Sequence, residues 1–74
     1  MHLSIPKAGD ITLRAYSSDG SLVKTVFSGH VAAGEGHARW DLTDDYGSQV
    51  ANGTYFLELT GAAGTAQNRV TVLR

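Results

Sequence analysis

Nine glycines divide the 74-residue chain into pieces that are too short for ordinary helices. They stand at positions 9, 20, 29, 34, 36, 47, 53, 61 and 64. A mean α-helix spans about 11 residues with a period of 3.6, and no piece between the glycines shows that pattern. The pieces are instead typical of short strands joined by turns, which predicts an all-β sandwich or barrel that forms one domain.

Alternation of apolar and polar residues predicts six strands. The clearest case is residues 11–16, where Ile11, Leu13 and Ala15 share one face. The predicted strands cover residues 3–5, 11–16, 22–27, 37–41, 54–60 and 65–73, with 49–51 as a candidate for a very short seventh. Residues 28–36 contain three glycines and an Ala-Ala pair, so we expect them to form a loop.

The third predicted strand lacks a strict period of two, because its apolar residues are Leu22, Val23, Val26 and Phe27. A β-bulge or a change of sheet would explain this irregularity. A short helix is the alternative, but the β-branched side chains of Val23, Thr25 and Val26 disfavour it.

The inward positions of these strands predict a small core. It consists of Ile11, Leu13, Val23, Trp40, Tyr55, Leu57, Val70 and Val72. A buried tyrosine hydroxyl needs a hydrogen-bond partner, and a backbone carbonyl would serve for Tyr55. For Trp40 the alternative to a core position is an exposed ring that stacks on a sugar. Glycines 20, 34, 47 and 53 are expected where φ is positive or where a Cβ has no room.

Composition excludes several classes of function. Six Lys and Arg against seven Asp and Glu leave no basic excess for nucleic acid or anionic lipid. The absence of cysteine excludes a disulfide framework, a thiol nucleophile and any thiolate-ligated metal. No apolar run approaches the roughly 18 residues that would indicate membrane insertion. No nucleophile elbow or zinc-protease motif occurs, so we expect neither catalytic residues nor a cofactor.

One acidic cluster is a candidate site. Asp41, Asp44 and Asp45 supply the carboxylate oxygens that Ca²⁺ prefers, although their spacing is not that of an EF-hand loop. The alternative is that these side chains accept local backbone N–H bonds and hold a turn. His30 and His37 form a weaker candidate pair, because two histidines without a third ligand are a poor metal site.

Three stretches in order resemble the FlgD-type immunoglobulin-like domain. The first is 5–16 followed by Asp19-Gly20 and Leu22-Val23. The second is Ala33-Gly34, 38–41 (Ala-Arg-Trp-Asp), Asp44-Asp45 and Gly47, and the third is 50–56 with 69–73. The sequence departs from the family pattern at Leu42, since a glycine often follows the Trp-Asp pair in the family. Type IX secretion sorting domains are similar.

The resemblance implies an immunoglobulin-like antiparallel sandwich of about seven short strands over residues 1–74. It also implies a non-catalytic accessory or structural module, cut from the C-terminal end of an exported bacterial protein and located outside the cell or on its surface. The expected partners are a neighbouring domain, an assembly subunit or secretion machinery, and open edge strands would permit self-association. The alternatives are a C-terminal sorting signal and a carbohydrate- or calcium-binding module.

Overall fold

The chain is described by a computed structural model that covers residues 2–62 and 64–73. The described residues form an all-β, antiparallel architecture with six strands. These are β1 (His2–Ile5), β2 (Gly9–Ser17), β3 (Leu22–Val31), β4 (Gly34–His37), β5 (Gly53–Gly61) and β6 (Gly64–Val72). No helix in this part of the chain is long and apolar enough to cross a membrane.

The strands form two sheets of unequal width. The larger has the order β3-β2-β5-β6, and the smaller contains only β1 and β4. The predicted turn at residues 17–20 joins β2 to β3, where the Gly20 N–H donates to the Ser17 carbonyl at 3.0 Å. The predicted all-β, immunoglobulin-like sandwich is therefore confirmed, with six strands in place of about seven.

The predicted bounds of the third and fourth strands were wrong. β3 continues to Val31, and β4 is Gly34–His37 rather than 37–41, so most of the predicted loop at 28–36 is strand. Pairing overrides the low strand propensity of glycine here: Gly29 pairs with Ile11, and Gly36 with Leu3. The candidate seventh strand at 49–51 is reduced to one isolated bridge between Thr43 and Gln49.

Two bulges explain the irregular pattern of β3. Leu13 pairs with Phe27 and the next residue of β2 pairs with Thr25, so Val26 is skipped. Val23 is skipped in the same way where the register shifts again near Tyr16. Each bulge turns its extra residue inward, and both valines are half-buried against the core.

The core lies between the two sheets and extends under the segment that follows β4. Its buried members are Ile11, Leu13, Ala15, Trp40, Val50, Tyr55, Leu57, Leu59 and Val72. Val23 and Val70, predicted as core residues, are only half-buried because they lie on the two outermost strands. Ala15, Val50 and Leu59 were not predicted, and Val50 comes from an irregular segment that carries no period.

Trp40 and Tyr55 fasten the irregular segment between β4 and β5 to the sheet. Their rings meet edge to face, with centroids 5.4 Å apart. The Trp40 Nε1–H donates to the Thr43 carbonyl at 2.8 Å, and the Tyr55 hydroxyl donates to the Ala51 carbonyl at 2.6 Å. The expected backbone partner of the tyrosine is thus confirmed, and both polar tips are satisfied inside an apolar cluster.

Candidate docking edges

The acidic segment at residues 41–49 is a hydrogen-bonded turn. The Asp44 Oδ1 accepts the N–H groups of Tyr46 and Ser48 at 2.9 and 3.0 Å. The Gly47 N–H donates to the Asp44 carbonyl at 3.0 Å, and the φ of Gly47 is +82°. The carboxylate therefore substitutes for backbone acceptors in a turn that a glycine closes.

Asp41 has its own set of donors. Its Oδ1 accepts the Thr43 hydroxyl at 2.6 Å, the Thr43 N–H at 3.2 Å and the Lys24 ammonium at 3.4 Å. The Thr43 hydroxyl, with smaller contributions from the Thr43 N–H and the Lys24 charge, holds the pKa of Asp41 below its usual range. This carboxylate is ionised near neutral pH and ties β3 to the segment through Lys24.

Asp45 covers part of the outer edge of β3. Its Oδ1 accepts the Thr25 N–H at 3.1 Å, and its own N–H donates to the Val23 carbonyl at 3.2 Å. A partner strand would need these same backbone groups. Together with the two bulges, Asp45 therefore blocks strand addition at the bulged part of this edge.

The three aspartates thus have three separate sets of donors. Asp41 and Asp44 accept backbone N–H groups within four residues, as the turn-holding alternative expects, whereas Asp45 accepts the Thr25 N–H of β3. Within residues 2–62 and 64–73, no group of three or more His, Asp or Glu side chains is placed to hold a metal ion. The two candidate histidines also have different neighbours: His30 lies 3.3 Å from Asp10, and the ring of His37 meets that of His2. Calcium binding at this segment stays a prediction.

Trp40 offers no surface for a sugar. Its side chain is buried, with 7% of its area exposed, and its ring contacts Tyr55 in the core. The core interpretation of this tryptophan is therefore correct, and the sugar-stacking alternative fails at this residue.

The outer edge of β6 contrasts with that of β3. Its register with β5 runs without a shift from Gly53–Val72 to Gly61–Gly64. No strand of the described chain lies beside it, and its residues from Gly64 to Arg69 are exposed on both faces. The sequence signal for this edge was present, since β6 carries one charged residue, Arg69, and no proline.

Two grooves show how the smaller sheet lies over the larger. A groove of about 480 Å³ has the whole of β4 along one side and Val26, Phe27 and Val31 of β3 along the other. A groove of about 220 Å³, here called the β1 groove, has the end of β1 on one side and Leu59 and Ala66 on the other. β4 therefore lies toward β3, and β1 lies toward β5 and β6.

Comparison with known proteins identifies the family. No curated protein and no solved structure matches the chain. The family model described as the FlgD Ig-like domain matches residues 4–65, which is well over half of the sequence. The match includes β2 to β5 in full, the second half of β1 and the first two residues of β6. The chain belongs to the FlgD Ig-like domain family, which is a structural family.

Proposed function

We propose that this domain is a non-catalytic accessory module of an exported bacterial protein, and that it docks a neighbouring domain or assembly subunit through the outer edge of β6. The observation that carries the proposal is the unequal treatment of the two edges of the larger sheet. Asp45 and two bulges obstruct the bulged part of the β3 edge. The β6 edge has no bulge, and no strand of the described chain lies beside it. Natural sheets usually protect an open edge, so an unprotected one is a candidate interface.

The pairing of β5 and β6 fixes which groups the edge offers. Gly61 and Gly64 are the last paired residues before the hairpin turn, so they form a hydrogen-bonded pair. Because such pairs alternate along an antiparallel ladder, the N–H and C=O groups of Thr65, Gln67 and Arg69 point away from β5. An added strand would pair with these groups, and its sequence would matter less than its extended backbone.

The side chains on the described surface support a role without catalysis. The three candidate aspartates accept hydrogen bonds from other groups of the chain, and the candidate histidines have different neighbours. Among the described residues that line the two grooves, no serine or threonine hydroxyl is hydrogen-bonded to a histidine, lysine or carboxylate, as a nucleophile activated for acyl or phosphoryl transfer would be. Structural family membership points in the same direction.

Amide hydrogen exchange tests the docking proposal. In the isolated domain the outward amides of Thr65, Gln67 and Arg69 should exchange quickly, and in the longer protein with its assembly partner they should be protected. Gln67→Pro removes one outward N–H without removing a bond to β5, so it should abolish that protection and leave the fold intact. Gln67→Thr is the matched control that keeps the N–H.

Deleting the domain separates docking from export. If the shortened protein leaves the cell but no longer attaches to its partner, the docking proposal is supported. If it stays inside the cell, the sorting-signal alternative is favoured. Fast exchange at all three amides in the assembled protein would contradict docking through β6.

A further inference from the structure

The smaller sheet is too narrow to cover the larger one. β4 lies toward β3, β1 lies toward β5 and the near side of β6, and the residues from Gly64 to Arg69 remain exposed, so no strand of the described chain covers this part of β6. β1 is paired on one side only, with β4. The position beside β1 and above β6 is therefore a vacant strand position in the upper layer of the sandwich.

Exposure of β6 confirms the vacancy. Directly paired residues of antiparallel strands project to the same face, so Ala66 and Asn68 lie on the core side with their partners Leu59 and Leu57. The two leucines are buried, at 9% and 5% exposure, but Ala66 and Asn68 are exposed. The core face of the larger sheet thus continues, uncovered, from β5 onto the first part of β6, whereas Val72 near the end of β6 is buried.

The β1 groove is the part of this uncovered strip that has depth. Its volume is about 220 Å³, and Ile5, Pro6, Ile11, Leu59 and Ala66 supply apolar walls. The surface is continuous with the interface between the two sheets, because Ile11 and Leu59 also belong to the core. A side chain placed here would extend that interface rather than begin a new one.

The rim of the groove indicates the charge of its occupant. One cation, Lys7, and one anion, Asp10, line it, so it favours neither sign. Gly61 and Gly64 also line the groove and leave space for branched apolar side chains. An uncharged segment with apolar residues at alternate positions fits this environment, since every second side chain of a strand would point into the groove.

We propose that the free edge of β1 accepts a seventh strand, which is an extended segment of a partner polypeptide with apolar side chains at alternate positions. The segment pairs with the backbone of β1 and places its apolar side chains in the β1 groove and over Ala66. This site is separate from the outer edge of β6, because it lies above that strand rather than beside it.

A second copy of this chain does not fit the position. If β1 of a second copy lay beside β1 with its apolar face toward Ala66, the larger sheet of that copy would lie in the same layer as β6. The two larger sheets would then overlap. The occupant must be a strand that brings no second layer with it, such as an extended tail or linker.

A synthetic peptide tests the site on the full 74-residue chain. The probe is Lys-Thr-Val-Thr-Val-Thr-Val-Lys, whose terminal lysines discourage pairing between peptides. Amide chemical shifts of the ¹⁵N-labelled chain are followed up to about 1 mM peptide, the range in which a weak strand addition is still detected. Saturable shifts should map to His2–Ile5 and to Ala66, and a peptide with serine at each valine position should give none.

Two variants on neighbouring positions of β6 provide the control. Ala66→Lys places a charge on the core-facing side, in the path of the apolar side chains, and should weaken peptide binding roughly tenfold or more. Gln67→Lys places the same charge on the opposite face and should change the affinity less than about twofold. Both positions are exposed in the free chain, so both variants should fold.

Three results of the peptide titrations would overturn the proposal. They are the absence of shifts at the highest peptide concentration, shifts confined to the outer edges of β3 and β6, and equal weakening by Ala66→Lys and Gln67→Lys. A concentration-dependent dimer that buries His2–Ile5 without peptide would also overturn it, in favour of a second copy. Shifts confined to the outer edge of β6 would at the same time support docking at that edge, and the other results leave that proposal standing, so failure of one proposal can be told from failure of the other.

Discussion

Leu42 has a backbone conformation that suits glycine. Its φ is +64°, and it is the one non-glycine residue in the described chain with a positive φ. An L-residue in this left-handed region pays roughly 1–2 kcal/mol. The side chain offsets part of that cost, because Leu42 is half-buried and packs against the core. The family pattern often has glycine at this position, and glycine adopts a positive φ without strain. In this chain a leucine occupies the position and carries the strain.

Comparing Leu42→Gly with Leu42→Ala isolates the backbone contribution. Both variants lose the packing of the leucine and should be less stable than the native chain by about 1–2 kcal/mol. Alanine keeps the left-handed strain of roughly 1–2 kcal/mol, whereas glycine loses about 0.4–1 kcal/mol through its freer unfolded state. Leu42→Gly should therefore be more stable than Leu42→Ala by about 0.5–1 kcal/mol, which reverses the usual order.

Urea unfolding followed by the fluorescence of Trp40, the single tryptophan, measures this difference. With a slope of about 1 kcal/mol per molar urea for a domain this small, the midpoints should differ by about 0.5–1 M. Gln67→Gly and Gln67→Ala are the matched control at an exposed strand position, where alanine should be the more stable by about 0.5–1 kcal/mol. If Leu42→Ala equals or exceeds Leu42→Gly in stability, the strain argument is refuted.

Three further predictions concern the core and the acidic turn. Trp40→Phe leaves the Thr43 carbonyl without its donor and should lower the free energy of unfolding by about 1–3 kcal/mol in urea, whereas no change would mean that the bond is unimportant. The pKa of Asp41 in the folded state is lowered from 3.8, so the stability that its carboxylate contributes is present above pH 3.8 and is lost as the pH falls through the folded pKa. Asp41→Asn should therefore flatten the acid decline of the melting temperature. An unchanged dependence of the melting temperature on pH would contradict this role of Asp41. Gly53→Val, at a φ of +155°, should destabilise the domain by about 1–3 kcal/mol in the same urea assay, and a smaller loss would show that the backbone relaxes.

The strands with strict alternation were predictable, and the outer elements were less so. Ile11, Leu13 and Leu57 were correctly predicted as core residues, and they lie on β2 and β5, which pair on both sides; Val72 is also buried as predicted, although β6 is an outer strand. The predicted position of β4 was wrong because the Gly-Glu-Gly-His run has little strand propensity of its own. It becomes a strand by pairing with β1, which is distant in sequence.

The positive φ predicted for Gly20, Gly34, Gly47 and Gly53 is confirmed at all four. The backbone conformation of a turn depends on its own few residues, so a single glycine can predict it.

The acidic cluster was found from the sequence, but its role was not. Asp41, Asp44 and Asp45 were predicted as candidate oxygen ligands; in the structure Asp44 accepts N–H groups of its own turn, and Asp41 and Asp45 accept donors that include groups of β3. The contact between Asp45 and the edge of β3 joins residues about twenty positions apart, and no local pattern announces it. The unprotected edge of β6 could be predicted only in part, because the sequence does not show which strand is outermost.

The contact of Asp45 with Val23 and Thr25 also limits how many subunits can join through this sheet. A fibre grows only if each subunit has two accessible strand edges, one that pairs with the preceding subunit and one that pairs with the next. Here the β3 edge is obstructed at its bulged part. A subunit that pairs through β6 therefore leaves the next subunit only an obstructed β3 edge or a β6 edge that is already paired. The obstructed part of the β3 edge therefore opposes continued growth of the larger sheet, which restricts one route to aggregation.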